Sequence, residues 1–213
     1  SIGSFTGGIA AENEGSILES YNKGNISGSS LVGGISGINR NLIRNTYNTG
    51  LITATISTVG GIVGENQYLI ESSFNSGEIY SYKDLSGGLA GLQTSNDAII
   101  QLVYNTGIVE SRFSLAGGLI GKIDGGLLID SYVTTIAKSS SQVGMISGEF
   151  NDGQILNTYY NLDIFNNQED VKYKVYPFGN ISNYEGVKAL NHSMMIGLNS
   201  LKHIKISSNE NLS

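Results

Sequence analysis

Cysteine is absent from the 213 residues. That excludes disulfide staples, thiolate metal sites and a cysteine nucleophile. Proline occurs once, at Pro177. Charged residues are 14% of the chain, against about a quarter in ordinary globular domains, so few side chains are available for charge-based chemistry. Twelve basic residues face 18 acidic ones, a net charge of −6 with a pI near 4.8. Nucleic-acid binding calls for a basic face, so nucleic acid is not expected as a partner. No apolar run approaches the roughly 18–20 residues of a membrane-crossing helix, and no membrane span is expected. Also missing are H-E-x-x-H, G-x-S-x-G and G-x-x-x-x-G-K-[ST]. Without them a zinc-peptidase helix, a nucleophile elbow and a phosphate loop have no sequence support. The two histidines, His192 and His203, stand alone and read as surface residues. No cofactor is expected.

What is abundant is glycine, with 29 residues, and it recurs at a fixed period. Glycine pairs open units at Gly7-Gly8, Gly33-Gly34, Gly60-Gly61, Gly87-Gly88 and Gly117-Gly118, and a degenerate unit opens at Gly144-Met145. The steps are 26, 27, 27, 30 and 27 residues, the extra residues of the fourth unit falling near 94–97. Two positions after the first glycine stands an aliphatic: Ile9, Ile35, Ile62, Leu89, Leu119, Ile146. An aromatic column follows: Tyr21, Tyr47, Phe74, Tyr104, Tyr132, Tyr159. Four residues before it runs Ile17, Ile43, Ile70, Ile100, Leu128, Ile155, and five after it Ile26, Ile52, Ile79, Val109, Ala137, Ile164. In the first four units the aromatic opens Asn-x-Gly, as in Asn48/Gly50; the last two lose that signal.

Segments such as GGIVG and SGEIYS are too short for helices and are rich in branched and aromatic residues, which favours strands. One unit cannot bury its apolar face alone. Stacked about 4.8 Å apart, the units would pair strand on strand and turn each column into a continuous ladder inside the coil. The expected fold is all-β, a right-handed parallel β-helix (β-solenoid) of about six coils over residues 1–164. The glycines are expected to provide positive φ at corners and close approach between coils, and the Asn of Tyr-Asn-x-Gly to tolerate left-handed geometry, cap its own turn and form amide ladders.

After residue 164 the repeat fails. Residues 165–213 are expected to cap the solenoid, because Val187, Leu190, Met194, Leu198 and Leu201 step like a helix face and Ser182-x-x-Glu185 fits a capping box. This predicts a helix over 183–202. At the other end, Ser4-Phe5-Thr6 before Gly7-Gly8 mirrors Ser57-Thr58-Val59 before Gly60-Gly61. The reading is of a piece of a longer polypeptide with other domains.

The unit G-G-[IL]-x-G-x-N…I-x-x-[ST]-Y-N-x-G-x-[IV] resembles the GLUG repeat of bacterial surface proteins, over residues 7–148 and more weakly to about 164. The stretch EGVKALNHSMM is similar to the sequence that commonly follows such arrays. GLUG repeats occur in adhesins and in non-catalytic parts of immunoglobulin A-specific metallopeptidases. The resemblance implies an exported or surface-displayed stalk or binding module, and it supplies no catalytic residues.

Three groups were weighed as sites. Asp124-Gly125 and Asp152-Gly153 lie in comparable turns of adjacent units, so Asp124 and Asp152 are candidates for binding Ca²⁺ or for acid/base work; solvated turn residues are the plainer reading. Tyr160, Tyr173, Tyr176 and Phe178 form a local aromatic cluster, the candidate exposed binding patch, with packing of the cap as the alternative. The tyrosine column itself reads as structural. The function expected is a non-catalytic extracellular or cell-surface module, an adhesin stalk or a presenter of a surface for a glycan or a host or neighbouring-cell protein. A carbohydrate-active β-helix enzyme and a self-associating filament subunit are the alternatives.

Overall fold

Each repeat closes into one coil of short strands joined by bends. In the first coil these are β1 (Thr6–Gly7), β2 (Ala10–Asn13), β3 (Ser16–Leu18), β4 (Tyr21–Asn22) and β5 (Ile26–Gly28). The computed structural model describes residues 5–166 and 176–196. Strands pair in parallel with their equivalents one coil on: Gly7 with Gly33, Ile17 with Ile43, Tyr21 with Tyr47, Ile26 with Ile52. The pattern repeats coil after coil and builds three sheets. One gathers the strands equivalent to β1, β2 and β3, another those of β4, the third those of β5. The chain is therefore a parallel β-solenoid of about six coils. The extra residues 94–97 form a loop and turn, as the spacing predicts.

The aliphatic columns fill the interior. Ile35, Ile62, Leu89, Leu119 and Ile146 are fully buried, and so are Ile43, Ile70, Ile100 and Leu128. Together with Ile155 they form one continuous cluster along the coils. Ile52, Ile79 and Val109 build a second cluster with Val32 and Val59. Coil one is the exception: Ile9 is 47% exposed, and its five strands lie at the ends of their sheets among the described residues.

The aromatic column departs from expectation. Tyr21 is exposed, and Tyr47, Phe74, Tyr104 and Tyr132 are half-buried on the outer surface. The inward partner in each two-residue strand is its neighbour: Asn48, Asn75 and Asn105, all fully buried. Alternation along a strand lets only one of the two face in. The amide wins that place because it closes its own turn and bonds the next coil. Asn48 donates through Nδ2 to Gly50 O (2.9 Å) and accepts from Gly50 N–H (3.3 Å). The amide ladder runs Asn22 to Asn48 (2.7 Å), Asn48 to Asn75 (2.8 Å), Asn75 to Asn105 (2.8 Å), and ends on Gly118 O (2.9 Å). In coil five the same position is the buried Val133.

The left-handed corners are also elsewhere than expected. The six positive-φ residues other than glycine are Glu19, Asn45, Ser72, Leu102, Asp130 and Asn157, each two positions before the aromatic column. Among the described glycines only Gly126 and Gly153 have positive φ. The repeat glycines serve close approach instead: a Cβ on Gly61 would lie 2.2 Å from Gly88 O of the next coil.

The C-terminal segment continues the sheets. Tyr176–Phe178 pairs in parallel with the strand Gln142–Leu156, and Val187–Leu190 with Thr158–Asn161, making a partial seventh coil beyond residue 164. Of the helix expected over 183–202, the described residues show the short helix His192–Ile196, while 187–190 forms a strand; the other described helix is Leu162–Asn166. Residues 197–202 lie outside the described residues. The open edge of Thr158–Asn161 offered four backbone partners, and it overrode the weak helical periodicity of a segment interrupted by Gly186. That glycine is required here, since a Cβ on it would fall 1.6 Å from Ile155 O.

Candidate binding surfaces

The predicted aromatic patch is taken apart by the fold. Phe178 is fully buried, so it is not a surface residue. It packs against Phe150 (5.3 Å between ring centroids) and Tyr184 (5.8 Å), with Tyr184 also 5.2 Å from Phe150. Three rings thereby close the apolar end of the core, because Phe178 follows Pro177 on a strand whose inner face covers the last coil. Tyr160 occupies the inward column, in register with Val133, and packs half-buried against the core. Burial pushes its hydroxyl pKa up. Tyr176 is exposed, and Tyr173 lies outside the described residues. A cleft of about 490 Å³ opens beside this end, bounded by Tyr160, Pro177, Tyr184, Val187 and Lys188. Of the predicted residues that are described, Tyr160 is the one that lines it.

Asp124 and Asp152 do meet in register on adjacent coils, flanked by register shifts between Ile120–Ile129 and Gln142–Leu156. Their carboxylates are engaged separately. Asp124 is paired with Lys122 Nζ (3.1 Å) and accepts from Asn151 Nδ2 (2.8 Å). Asp152 accepts from its neighbouring Gly153 N–H (2.8 Å), closing its own turn. Lys122 also reaches Glu149 (3.7 Å), and its hydrogen bond to Asp124 holds its pKa above the usual lysine value. A cation bound by Asp124 would have to displace the Lys122 ammonium, which is seated between Asp124 and Glu149. Among the described residues no three His, Cys, Asp or Glu side chains group as a metal site.

The outer aromatic column forms a stack. Tyr21, Tyr47, Phe74, Tyr104 and Tyr132 follow one another at 4.8–5.1 Å with interplanar angles of 2–13°. Lys23 Nζ lies 4.8 Å over the ring of Tyr21 at its end. Sugar stacking needs an open ring face. Inside this stack each face is covered by the next ring, which leaves no ring face open to a sugar. Burial raises the Tyr104 and Tyr132 pKa values, that of Tyr132 to about 12 with help from Tyr104.

A second aromatic set lies at the corner following the β5-type strands and was not legible as a stripe. Tyr80 and Tyr82 meet edge to face at 5.1 Å. The Arg112 guanidinium lies 5.6 Å from the Tyr82 ring and 5.0 Å from the Phe113 ring. The available signal was register: Ser81 pairs with Ser111, so Tyr82 and Arg112 occupy equivalent places one coil apart.

Comparison of the chain with protein-family models, with curated proteins and with solved structures gave no match.

Proposed function

We propose that this chain is a non-catalytic β-solenoid module of the GLUG-repeat type, part of an extracellular or cell-surface protein. Its work is presentation: a stiff rod that holds a binding surface or a distal domain away from the cell. The observation that carries the reading is the continuity of the side-chain ladders across coils one to five. Tilting one coil on the next would open strand pairs in three sheets, the buried amide ladder and the ring stack together, so the rod resists bending. A low-charge surface suits weak contacts with glycans or proteins that gain strength through many copies.

The test is binding of the labelled chain to an array of glycans and matrix proteins, read a second time after incubation for cleaved material. Retention without cleavage is the expected result. Cleavage would replace this reading with that of a carbohydrate-active enzyme or a peptidase. Self-association is the alternative reading, in which the strand edges of one chain pair with those of another. Light scattering decides it: a mass that climbs with concentration supports assembly, and a constant monomer mass overturns it.

A further inference from the structure

We propose that the corner built by Tyr80, Tyr82, Arg112 and Phe113 binds a carboxylate-bearing carbohydrate, with Arg112 gripping the carboxylate and the rings carrying the apolar face of the sugar. The inference rests on the presentation role above and gives it a site and a ligand class.

The place is set by the coil. Thr53, Tyr80, Glu110 and Lys138 stack in register along the third sheet, and the next inward column is Ala54, Ser81, Ser111 and Ser139. One residue further the backbone is still held coil to coil. Tyr82 N–H donates to Ala54 O (2.9 Å), Arg112 N–H to Ser81 O (2.9 Å), and Ser140 Oγ to Arg112 O (2.6 Å). The corner is thus a firm base, but its side chains are left outside. Phe113 is 60% exposed, Ile56 on the preceding coils 58%, and Tyr82 44%. Exposed aromatics of this size on a soluble rod mark contact sites, and aromatic residues with Arg are what binding surfaces are enriched in.

Charge selects the ligand. Arg40 is paired with Glu12 (2.7 Å) and Arg44 with Glu71 (2.8 Å). Arg112 has no ion pair among the described residues, and its guanidinium donates no hydrogen bond to them; it lies against two rings instead. A guanidinium set over two rings and bonded to no acceptor among the described residues keeps its planar fork of donors for an incoming carboxylate. Exposed Lys83 and Lys138 flank it, against Asp84 and Glu110 on the same corner. Three cations against two carboxylates make this corner locally positive on a chain of net charge −6. A neutral sugar would use the rings and leave the guanidinium unpaired; an acidic one uses both. Successive coils repeat about every 4.8 Å, so a linear acidic polysaccharide running along the rod passes Tyr82, Arg112 and Ser140 in turn, with Lys138 two residues to the side on the last of these coils.

The probe is an unesterified galacturonic-acid oligosaccharide, with its methyl ester as the uncharged counterpart, titrated calorimetrically against the full chain. The acid is expected to bind at least about tenfold more tightly than the ester, as a charge-assisted bidentate pair implies. Arg112→Gln is expected to lose about tenfold, Arg112→Lys to fall between, and Phe113→Ser to lose several-fold, with thermal melts unchanged because both side chains are exposed. Equal binding of acid and ester, no loss in Arg112→Gln, or no binding of the acid overturns the proposal. So does displacement by polyglutamate at equal affinity, which would mean that charge alone is read. Array binding that survives Arg112→Gln overturns this site and leaves the presentation role standing. An array silent for the unmodified chain removes the adhesive part of that role itself.

Discussion

The side chain of Asn48 donates through Nδ2 to Oδ1 of Asn75, 27 residues on, at 2.8 Å, and both residues are fully buried. Each of these amides also closes a turn within its own coil, Asn75 through Gly77 O (2.8 Å) and Gly77 N–H (3.2 Å). One residue type thus satisfies the local bend and the contact between coils. Buried amides are costly unless every group is partnered, and a ladder partners them by repetition. A second ladder from Asn13 through Asn39 to Asn66 does the same beside β2 and its equivalents (2.7 and 2.9 Å).

Asn75→Val is therefore expected to destabilise the solenoid by about 2–4 kcal/mol, since four hydrogen bonds go and buried partners are left short. Val is the test residue because Val133 already fills the equivalent place in coil five. Denaturant unfolding monitored by circular dichroism measures it. A loss under half a kilocalorie would mean that packing, not the amide, holds this column.

Ile70→Ala probes the apolar interior. Ile70 is fully buried between Ile43 and Ile100 in an unbroken ladder. The expected cost is about 2–5 kcal/mol, because neighbours pinned by backbone pairing on both sides cannot collapse into the space. An unchanged unfolding midpoint would contradict the inward placement.

The repeat period and the aliphatic columns were legible in the sequence because stacking acts on every coil alike: Ile43, Ile70 and Ile100 each meet the same surroundings. Which of Tyr and Asn faces inward was not legible, since it depends on a hydrogen-bond ladder that forms only between coils. The left-handed corner was hidden for a related reason. Its six residues have no common chemistry, and Glu19, Ser72 and Leu102 give no local sign of positive φ. The C-terminal strand 187–190 was masked by a helix-like spacing, and the deciding fact was the free edge of Thr158–Asn161. The predicted aromatic site failed where residues adjacent in sequence took different roles: Tyr176 is exposed and Phe178 is core. The Tyr82–Arg112–Phe113 corner needs the register of two coils before it exists.

Leu102 holds φ at +54°, a conformation that suits Asn far better than Leu. The equivalent positions in coils two and six are Asn45 and Asn157. Leu102→Asn is expected to stabilise the chain by about 1 kcal/mol, which in a chain of this size raises the melting temperature by about 2–4 °C. A lower melting temperature would show that apolar contacts of the half-buried Leu102 outweigh the backbone strain.

The ring stack gives the solenoid an alkaline limit. Tyr132 titrates near 12 in the folded chain, raised from an ordinary value of 10.0 by burial and by the neighbouring Tyr104, and Tyr104 is shifted in the same direction. Between those two values the unfolded chain has lost the Tyr132 proton and the folded chain keeps it. The unfolded state then binds fewer protons, so stability falls as pH rises. Below pH 10 both states hold the proton and the contribution is fully present. Melting temperature is therefore expected to be flat with respect to this group up to about pH 10 and to fall from there towards pH 12. Tyr132→Phe removes the titrating hydroxyl and keeps the ring in the stack, so its melting curve is expected to decline less over that interval. Tyrosinate absorbance near 295 nm follows the same event directly, with a late-titrating fraction in the folded chain that is lost in Tyr132→Phe. A single tyrosine titration centred at the ordinary value, with parallel pH profiles for the two proteins, would show that the ring of Tyr132 is open to water and that the stack does not hold in solution.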